Sequence, residues 1–284
     1  MRGRIEAIDD IATLPEVLTR IIAVVQDEST TALDLADEIV RDQALAMRVL
    51  RVVNSSFYGF PRAISNIPEA VVILGFNEIE RLALTISVIN LFGKSPAHVR
   101  ALHNLWRHSL ACSLAAGTFE QHFRRLYPEI AGAHLAGLLH DVGKAVIIQY
   151  FPDELTRVIH RVETLGCSAY EAEHEVFGGI THCEIGAWLA ERWQLPEVLV
   201  QSIAGSHRPS EVPGNPIMPH AVHLANALIN TMGIGALNDQ PQALSPDPES
   251  LEKLPLDEGL VTRIQERLNK QRGLLGAVAT GALS

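Results

Sequence analysis

The chain has 284 residues, 47% of them apolar but only 5% aromatic, and carries a formal net charge of −10. That length can bury a substantial core, and the acidic balance argues against a surface that wraps nucleic acid, which needs clustered Lys and Arg. Cys112, Cys167 and Cys183 are too scattered for a disulfide framework, no apolar run reaches the roughly 18 to 20 residues of a membrane span, and Asp9 and Asp10 stand where a signal peptide needs an apolar block, so the expectation is a cytoplasmic protein with free thiols and no membrane partner.

The composition, rich in Ala, Leu, Val and Ile, suits packed helices. The first 95 residues read as a series of short ones. Thr13-Leu14-Pro15-Glu16 opens a helix with a capping residue, an early proline and an early acid, and Leu18, Ile21, Ile22 and Val25 continue it at helical spacing. Thr30 or Thr31 opens the next, with Leu33, Ala36, Ile39 and Val40 as its buried stripe. Ala44, Leu45, Met47, Val49, Leu50 and Val53 make a helix apolar on most sides, expected in the core rather than at a partner surface. Asn54-Ser55-Ser56 ends that helix by competing for its backbone hydrogen bonds, and Tyr58-Gly59-Phe60-Pro61 is a turn. Ile67-Pro68-Glu69-Ala70 restarts a helix that stops near Gly75; another follows over 76–92 and closes at Gly93.

Helices are then expected over 95–123, 129–150, 153–165, 168–176, 180–193, 196–206 and 216–232, with 233–255 as a loop and a last helix from Asp257 to about 275. No segment alternates with period two for long enough to make a strand. The expected fold class is all-α. The expected divisions are an N-terminal helical part at 1–95, a helical core at 96–232, and a loop with a C-terminal helix at 233–284.

The chemistry concentrates in His134-Leu135-Ala136-Gly137-Leu138-Leu139-His140-Asp141-Val142-Gly143-Lys144. On one continuous helix His140 and Lys144 share a face, and Asp141 lies about 100° round from His140. Gly137 and Gly143 leave the neighbourhood thin, so a helix or a ligand can approach the backbone. An imidazole nitrogen and a carboxylate oxygen together suit a divalent metal, and Lys144 is placed for an anionic substrate such as a phosphate. His108 shares an inward face with Leu102, Leu105, Cys112, Ala115 and Phe119. His182 shares one with Ile185, Gly186, Leu189 and Trp193, and His207 sits at a helix end before Arg208-Pro209. Each alone reads as a satisfied core or cap histidine. Together they point to a shared polar centre.

In this order, His108, His140-Asp141, His182 and His207 resemble the metal ligands of the HD superfamily of phosphohydrolases. The N-terminal half narrows the likeness. Leu14-Pro15, Ile39-Val40-Arg41-Asp42-Gln43-Ala44-Leu45, Leu50-Arg51-Val52-Val53-Asn54-Ser55-Ser56-Phe57-Tyr58-Gly59, Ile67-Pro68-Glu69-Ala70-Val71 and Trp106-Arg107-His108-Ser109 are similar to the signature of the HDOD family, over about residues 10 to 232. The resemblance implies an HD-like helical bundle in a bacterial signalling module, of a kind often attached to receiver or diguanylate cyclase domains. It also implies a divalent ion (Fe, Mn, Mg or Ni), and other signalling proteins or a nucleotide as partners. For most members of that family no enzymatic activity is established.

Two departures matter. Where HD hydrolases close the site with a second Asp, in a context like His223-Leu224-Ala225-Asn226-Ala227, this chain has Asn226, whose amide brings no negative charge to a hard cation. Relatives that cleave cyclic dinucleotides carry a His-His pair and a Gly-Tyr-Pro motif; here the pair is His207-Arg208 and the motif is missing. Arg208 suits either a phosphate contact or a helix C-terminus. The expectation is therefore a non-enzymatic signalling domain. The alternative is a metal-dependent phosphohydrolase in which Asp141 orients a metal-bound water and Lys144 neutralises the phosphate.

Overall fold

A computed structural model describes residues 3–4, 14–27, 29–55, 58–92, 99–236 and 245–280. Among the described residues there are helices and no strands. Thr13, Ser56, Phe57, Gly93 and Ser95, as well as Asp9 and Asp10, fall outside that set.

From Glu16 to Ile89 the described residues form α1 (Glu16–Gln26), α2 (Ala32–Arg41), α3 (Gln43–Val53), α4 (Ile67–Leu74) and α5 (Phe76–Ile89). Their ends follow local chemistry. Thr31 and Asp34 form a reciprocal capping box on α2, a device that contributes about 1 kcal/mol. Asn66 caps α4, and Gly75 stops it at φ 87°, a conformation that a side chain disfavours. Asn54 ends α3 and does more: its amide accepts from the Ile64 N–H at 2.7 Å and donates to the Ile64 carbonyl at 2.8 Å. It thus ties the 54–64 turn shut.

Two expected stripes are corrected here. On α2 the buried residues are Leu35, Ala36 and Ile39, while Leu33 and Val40 are exposed. Those two lie seven apart on one side, and α2 instead turns its Leu35 side toward α1 and α4. On α3 the core takes Leu45, Val49, Val52 and Val53 but leaves Met47 exposed. That helix is therefore half-buried rather than central.

The centre of the molecule is α6 (Val99–Phe123), from which Leu105, His108, Cys112, Ala115 and Phe119 all point inward. The single helix expected over 129–150 is two: α7 (Ala133–Leu139) and α8 (Val142–Tyr150), interrupted at His140-Asp141. A short 3-10 turn at Pro128–Ile130 precedes them. Then come α9 (Pro152–Leu165), α10 (Ala169–Val176), α11 (His182–Arg192), α12 (Glu197–Ala204) and α13 (Ile217–Thr231). Capping boxes at Ser168 and Thr181 open α10 and α11. The stretch expected to be loop holds a short helix, α14 (Pro248–Lys253), capped by Asp247. The last expected helix breaks at Gln271 into α15 (Glu258–Lys270) and α16 (Arg272–Ala279), and both pack on α6.

Candidate metal centre

The helix break between α7 and α8 is what builds the centre. His140 ends one helix, and Asp141, at φ −101° and ψ 13°, leads into the next, so adjacent side chains turn into the same space. Both flanking glycines admit a neighbouring helix. A Cβ on Gly137 would lie 2.9 Å from the Cys112 carbonyl oxygen of α6, and one on Gly143 would lie 2.7 Å from the Gly186 nitrogen of α11. Close approach of α6 and α11 is thereby allowed by the absence of two side chains.

His108, His140, Asp141 and His182 meet with no exposed surface. Measured to the Asp141 carboxylate, His108 Nε2 is 3.5 Å from Oδ2, His140 Nε2 is 3.4 Å from Oδ1, and His182 Nε2 is 3.2 Å from Oδ1. The remote ring nitrogens are all engaged. His108 Nδ1 lies 2.6 Å from the Ile234 carbonyl, His140 Nδ1 lies 2.8 Å from the Gly137 carbonyl, and His182 Nδ1 lies 2.6 Å from Glu173 Oε2. A carbonyl accepts only from N–H, so those contacts assign the proton to Nδ1 in His108 and His140; the Nε2 of His140 faces Asp141 as an acceptor, and that of His108 accepts from the Cys112 thiol at 3.4 Å.

His207 joins on the far side. Its ring centroid is 5.0 Å from that of His182 and 4.6 Å from that of Tyr170, on which it stacks. Arg208 lies over the Tyr170 ring, 5.7 Å from its centroid, and bonds Glu211 at 3.2 Å. Its side chain keeps 57% exposure. Lys144, by contrast, is buried, with Nζ 2.9 Å from Asp141 Oδ2. Because α7 and α8 are separate helices, Lys144 meets Asp141 as the ion-pair partner of its own turn rather than lining up with His140 on one helix. Asn226 is buried on α13, and its amide oxygen accepts from Asn230 Nδ2 at 2.6 Å.

Burial dominates the electrostatics. It holds His140 down at about 4 despite the attraction of Asp141, with His108 and Lys144 pushing the same way. Burial would raise Asp141, but His140, Lys144 and His182 together hold it well below the usual carboxylate range. Burial likewise pulls His182 down and is outweighed by Cys183 and Glu173, which hold it well above an ordinary histidine. His207 sits well below one, through burial and the nearby charge of His182.

A divalent ion fits this donor set. His140 Nε2, His182 Nε2, His207 Nε2 and Asp141 Oδ1 are buried without a hydrogen-bond partner, an arrangement that costs folding energy unless something else satisfies it. The backing of remote nitrogens by carbonyls and a carboxylate is the pattern that orients metal-binding imidazoles. Two sulfurs complete the picture. The donor atoms of His108, Cys112 and His140 all lie within 4.8 Å of one another, as do those of His182, Cys183 and His207.

A second polar cluster escaped the sequence reading. His134, at the start of α7, has Nε2 2.6 Å from Glu80 Oε1 on α5 and Nδ1 3.2 Å from Glu120 Oε2 on α6. Burial alone would lower this histidine, but hydrogen bonds to Glu120 and Glu80 raise it to about 9. Tyr170 and Glu173 were also missed. No spacing rule singles them out, since α10 carries them while the histidines they touch lie on α11 and beyond.

The family model for the HDOD domain matches residues 11–209. An uncharacterised protein of Treponema pallidum (strain Nichols) is 27% identical over 229 residues, which are 80% of this chain and 42% of the relative's length. The chain thus spans under half of that curated relative. An HDOD domain protein of unknown function from Geobacter sulfurreducens superposes with a TM-score of 0.74 at 26% identity, covering 98% of this chain and 95% of that one. A Marinobacter aquaeolei VT8 protein provisionally ascribed to signal transduction gives 0.76 at 25% identity, covering 95% of this chain and 59% of the other. A Shewanella amazonensis SB2B protein provisionally named a phosphohydrolase shares the fold, with a TM-score of 0.71 at 20% identity over 96% and 97% of the two chains.

Proposed function

This chain belongs to the HDOD domain family, and we propose that it serves there as a signal-transduction module that acts in the cytoplasm through protein contacts. In this reading it keeps a hydrolase-like metal centre as a buried structural or regulatory element. The observation that carries the reading is burial: His108, His140, Asp141 and His182 expose no surface, and the Lys144 ammonium lies on Asp141 Oδ2. A phosphodiester reaches Asp141 only if helices part. Asn226 adds no charge where catalysis depends on it, and the amide is already engaged by Asn230. The Marinobacter protein, longer than this chain and ascribed to signalling, favours the same reading. In such longer relatives, signals would enter or leave through the residues beyond the matched part.

When bound, a divalent ion would polarise a water and lower its pKa. His108, His140, Asp141, His182 and His207 would hold it. Asp141 would fix the charge at the middle of the site, and Glu173 would orient His182.

A second reading, a metal-dependent phosphohydrolase acting on a nucleotide or cyclic dinucleotide, is favoured by one feature. Arg208 is exposed over Tyr170, which stacks on His207, and there it suits a phosphate. One assay separates the two. Phosphodiester hydrolysis with Mn²⁺ or Fe²⁺ is measured for the wild type, His140→Ala and Asn226→Asp. The signalling reading expects no wild-type turnover; turnover that His140→Ala abolishes overturns it.

A further inference from the structure

We propose that Cys112 and Cys183 are thiolate ligands, one on each side of Asp141, and that they make the centre select a zinc-like ion over magnesium or manganese. The inference rests on the reading above that the centre holds divalent metal, and it takes each sulfur's group as the donors of one ion. Neither sulfur belongs to the His/Asp set that the sequence singles out, and both are buried.

Cys112 lies one helical turn after His108 on α6, with Sγ 3.4 Å from His108 Nε2. Tetrahedral zinc, with bonds of about 2.3 Å to sulfur and about 2.0 Å to nitrogen, brings such donors to about 3.5 Å from each other. The observed separation therefore already suits a shared ion. On the other side Cys183 follows His182 directly at the start of α11, and its sulfur groups with His182 and His207. Each trio offers two imidazoles and one sulfur around a common space, and both trios adjoin the same carboxylate.

The plain alternative is that both cysteines fill the core as small apolar residues, as buried cysteines commonly do. That leaves His140 Nε2, His182 Nε2, His207 Nε2 and Asp141 Oδ1 unsatisfied around them. Ions at these positions would satisfy all four. Charge argues the same way. Two thiolates supply two negative charges beside Asp141. Soft sulfur shifts the preference from the hard ions that a second Asp would favour toward zinc or its analogue cobalt. As each sulfur–metal bond forms, the thiol proton leaves to solvent, so metal uptake releases protons and strengthens as pH rises.

The test uses the full chain, stripped with a chelator and titrated with Co²⁺ as a spectroscopic stand-in for Zn²⁺. The expected result is a strong near-ultraviolet sulfur-to-cobalt charge-transfer band. Cys112→Ser and Cys183→Ser should each remove about half of it, and Cys167→Ser should leave it intact, because Cys167 lies outside both trios. In Zn²⁺/Mn²⁺ competition the Cys112→Ser/Cys183→Ser double variant should lose more than about tenfold of the zinc preference. Visible cobalt bands without charge transfer would overturn the thiolate assignment and leave the metal reading standing. Failure of the wild type to bind Co²⁺ or Zn²⁺ at all would sink both. The wild-type spectrum decides even if a serine variant fails to fold.

Discussion

Two histidine clusters lie only six residues apart along the chain, and they behave as opposites. Around His134 both ring nitrogens meet carboxylates, Glu80 at 2.6 Å and Glu120 at 3.2 Å, so the imidazole carries a proton on each and nothing is left over. Around Asp141 the remote nitrogens of His108, His140 and His182 are tied down while the near ones converge on a single carboxylate, and those of His140 and His182 have no hydrogen-bond partner. The first arrangement is a closed ion cluster joining α5, α6 and α7. The second leaves polar atoms of His140, His182 and Asp141 without a hydrogen-bond partner. His134 keeps 19% of its side chain exposed and the Asp141 group none, but what separates a structural histidine from a ligand is which atoms remain unsatisfied.

The sharpest way to break that contrast is at His134. Removing it by His134→Ala takes from the largely buried Glu80 its 2.6 Å partner and leaves Glu120, also largely buried, with only Arg124 at 3.7 Å and the Gly132 backbone. Breaking a buried pair from one side costs about 3–5 kcal/mol, and urea unfolding should show a loss of that size. A loss below 1 kcal/mol, in order-of-magnitude terms, would mean the cluster is not closed as described. The next effect is a dependence on pH. With the folded histidine at about 9 and an ordinary one near 6.5, the stabilisation is fully present below about pH 6.5. It is lost as pH rises through about 9, and its full size is about 3 kcal/mol. His134→Gln should flatten this slope; a slope unchanged by that substitution would assign the titration elsewhere.

Much of this was legible in the sequence, and the misses have physical causes. Capping chemistry at Thr31 and the glycine stop at Gly75 made those helix ends readable, because such signals are local. The break at His140-Asp141 was hidden because the apolar spacing from Leu135 to Val146 runs on in phase through both helices. The His134 cluster was hidden because Glu80 lies 54 residues away in sequence. Leu33, Val40 and Met47 look like core in a hydrophobicity pattern, and only the neighbours of α2 and α3 decide which side is covered. The four-residue spacing of His108 and Cys112 was in view but read as an apolar face, since a thiol packs like a small hydrophobe until a nitrogen stands beside it.

On the open side of the comparison, Gly143→Ala is the stronger perturbation. Its new methyl would press on the His182 carbonyl and lie 2.7 Å from the Gly186 nitrogen, backbone atoms that yield only if α8 and α11 separate. Overpacking of this kind costs about 1–3 kcal/mol. Separation also carries His182 away from Asp141, so Zn²⁺ affinity measured by chelator competition should fall with stability. Full metal affinity in a destabilised Gly143→Ala protein would show that His182 does not depend on this contact.

Glu173→Gln should disturb the fold least and discriminate best. Glu173 Oε2 accepts both the backbone N–H of His182 at 2.7 Å and its Nδ1–H at 2.6 Å, while Oε1 has no partner. Glutamine keeps an acceptor for His182 but removes the charge and places an amide where Oε1 was, leaving a buried donor unsatisfied at a cost of about 1 kcal/mol. If His182 only fills space, nothing beyond that cost should follow. If it is a ligand, loss of the carboxylate behind it makes its Nε2 less basic, and zinc affinity should weaken by about 10- to 100-fold. A chelator titration that finds the affinity unchanged, alongside a folded protein, would return His182 to the class of His134: a histidine with all its bonds made inside the protein.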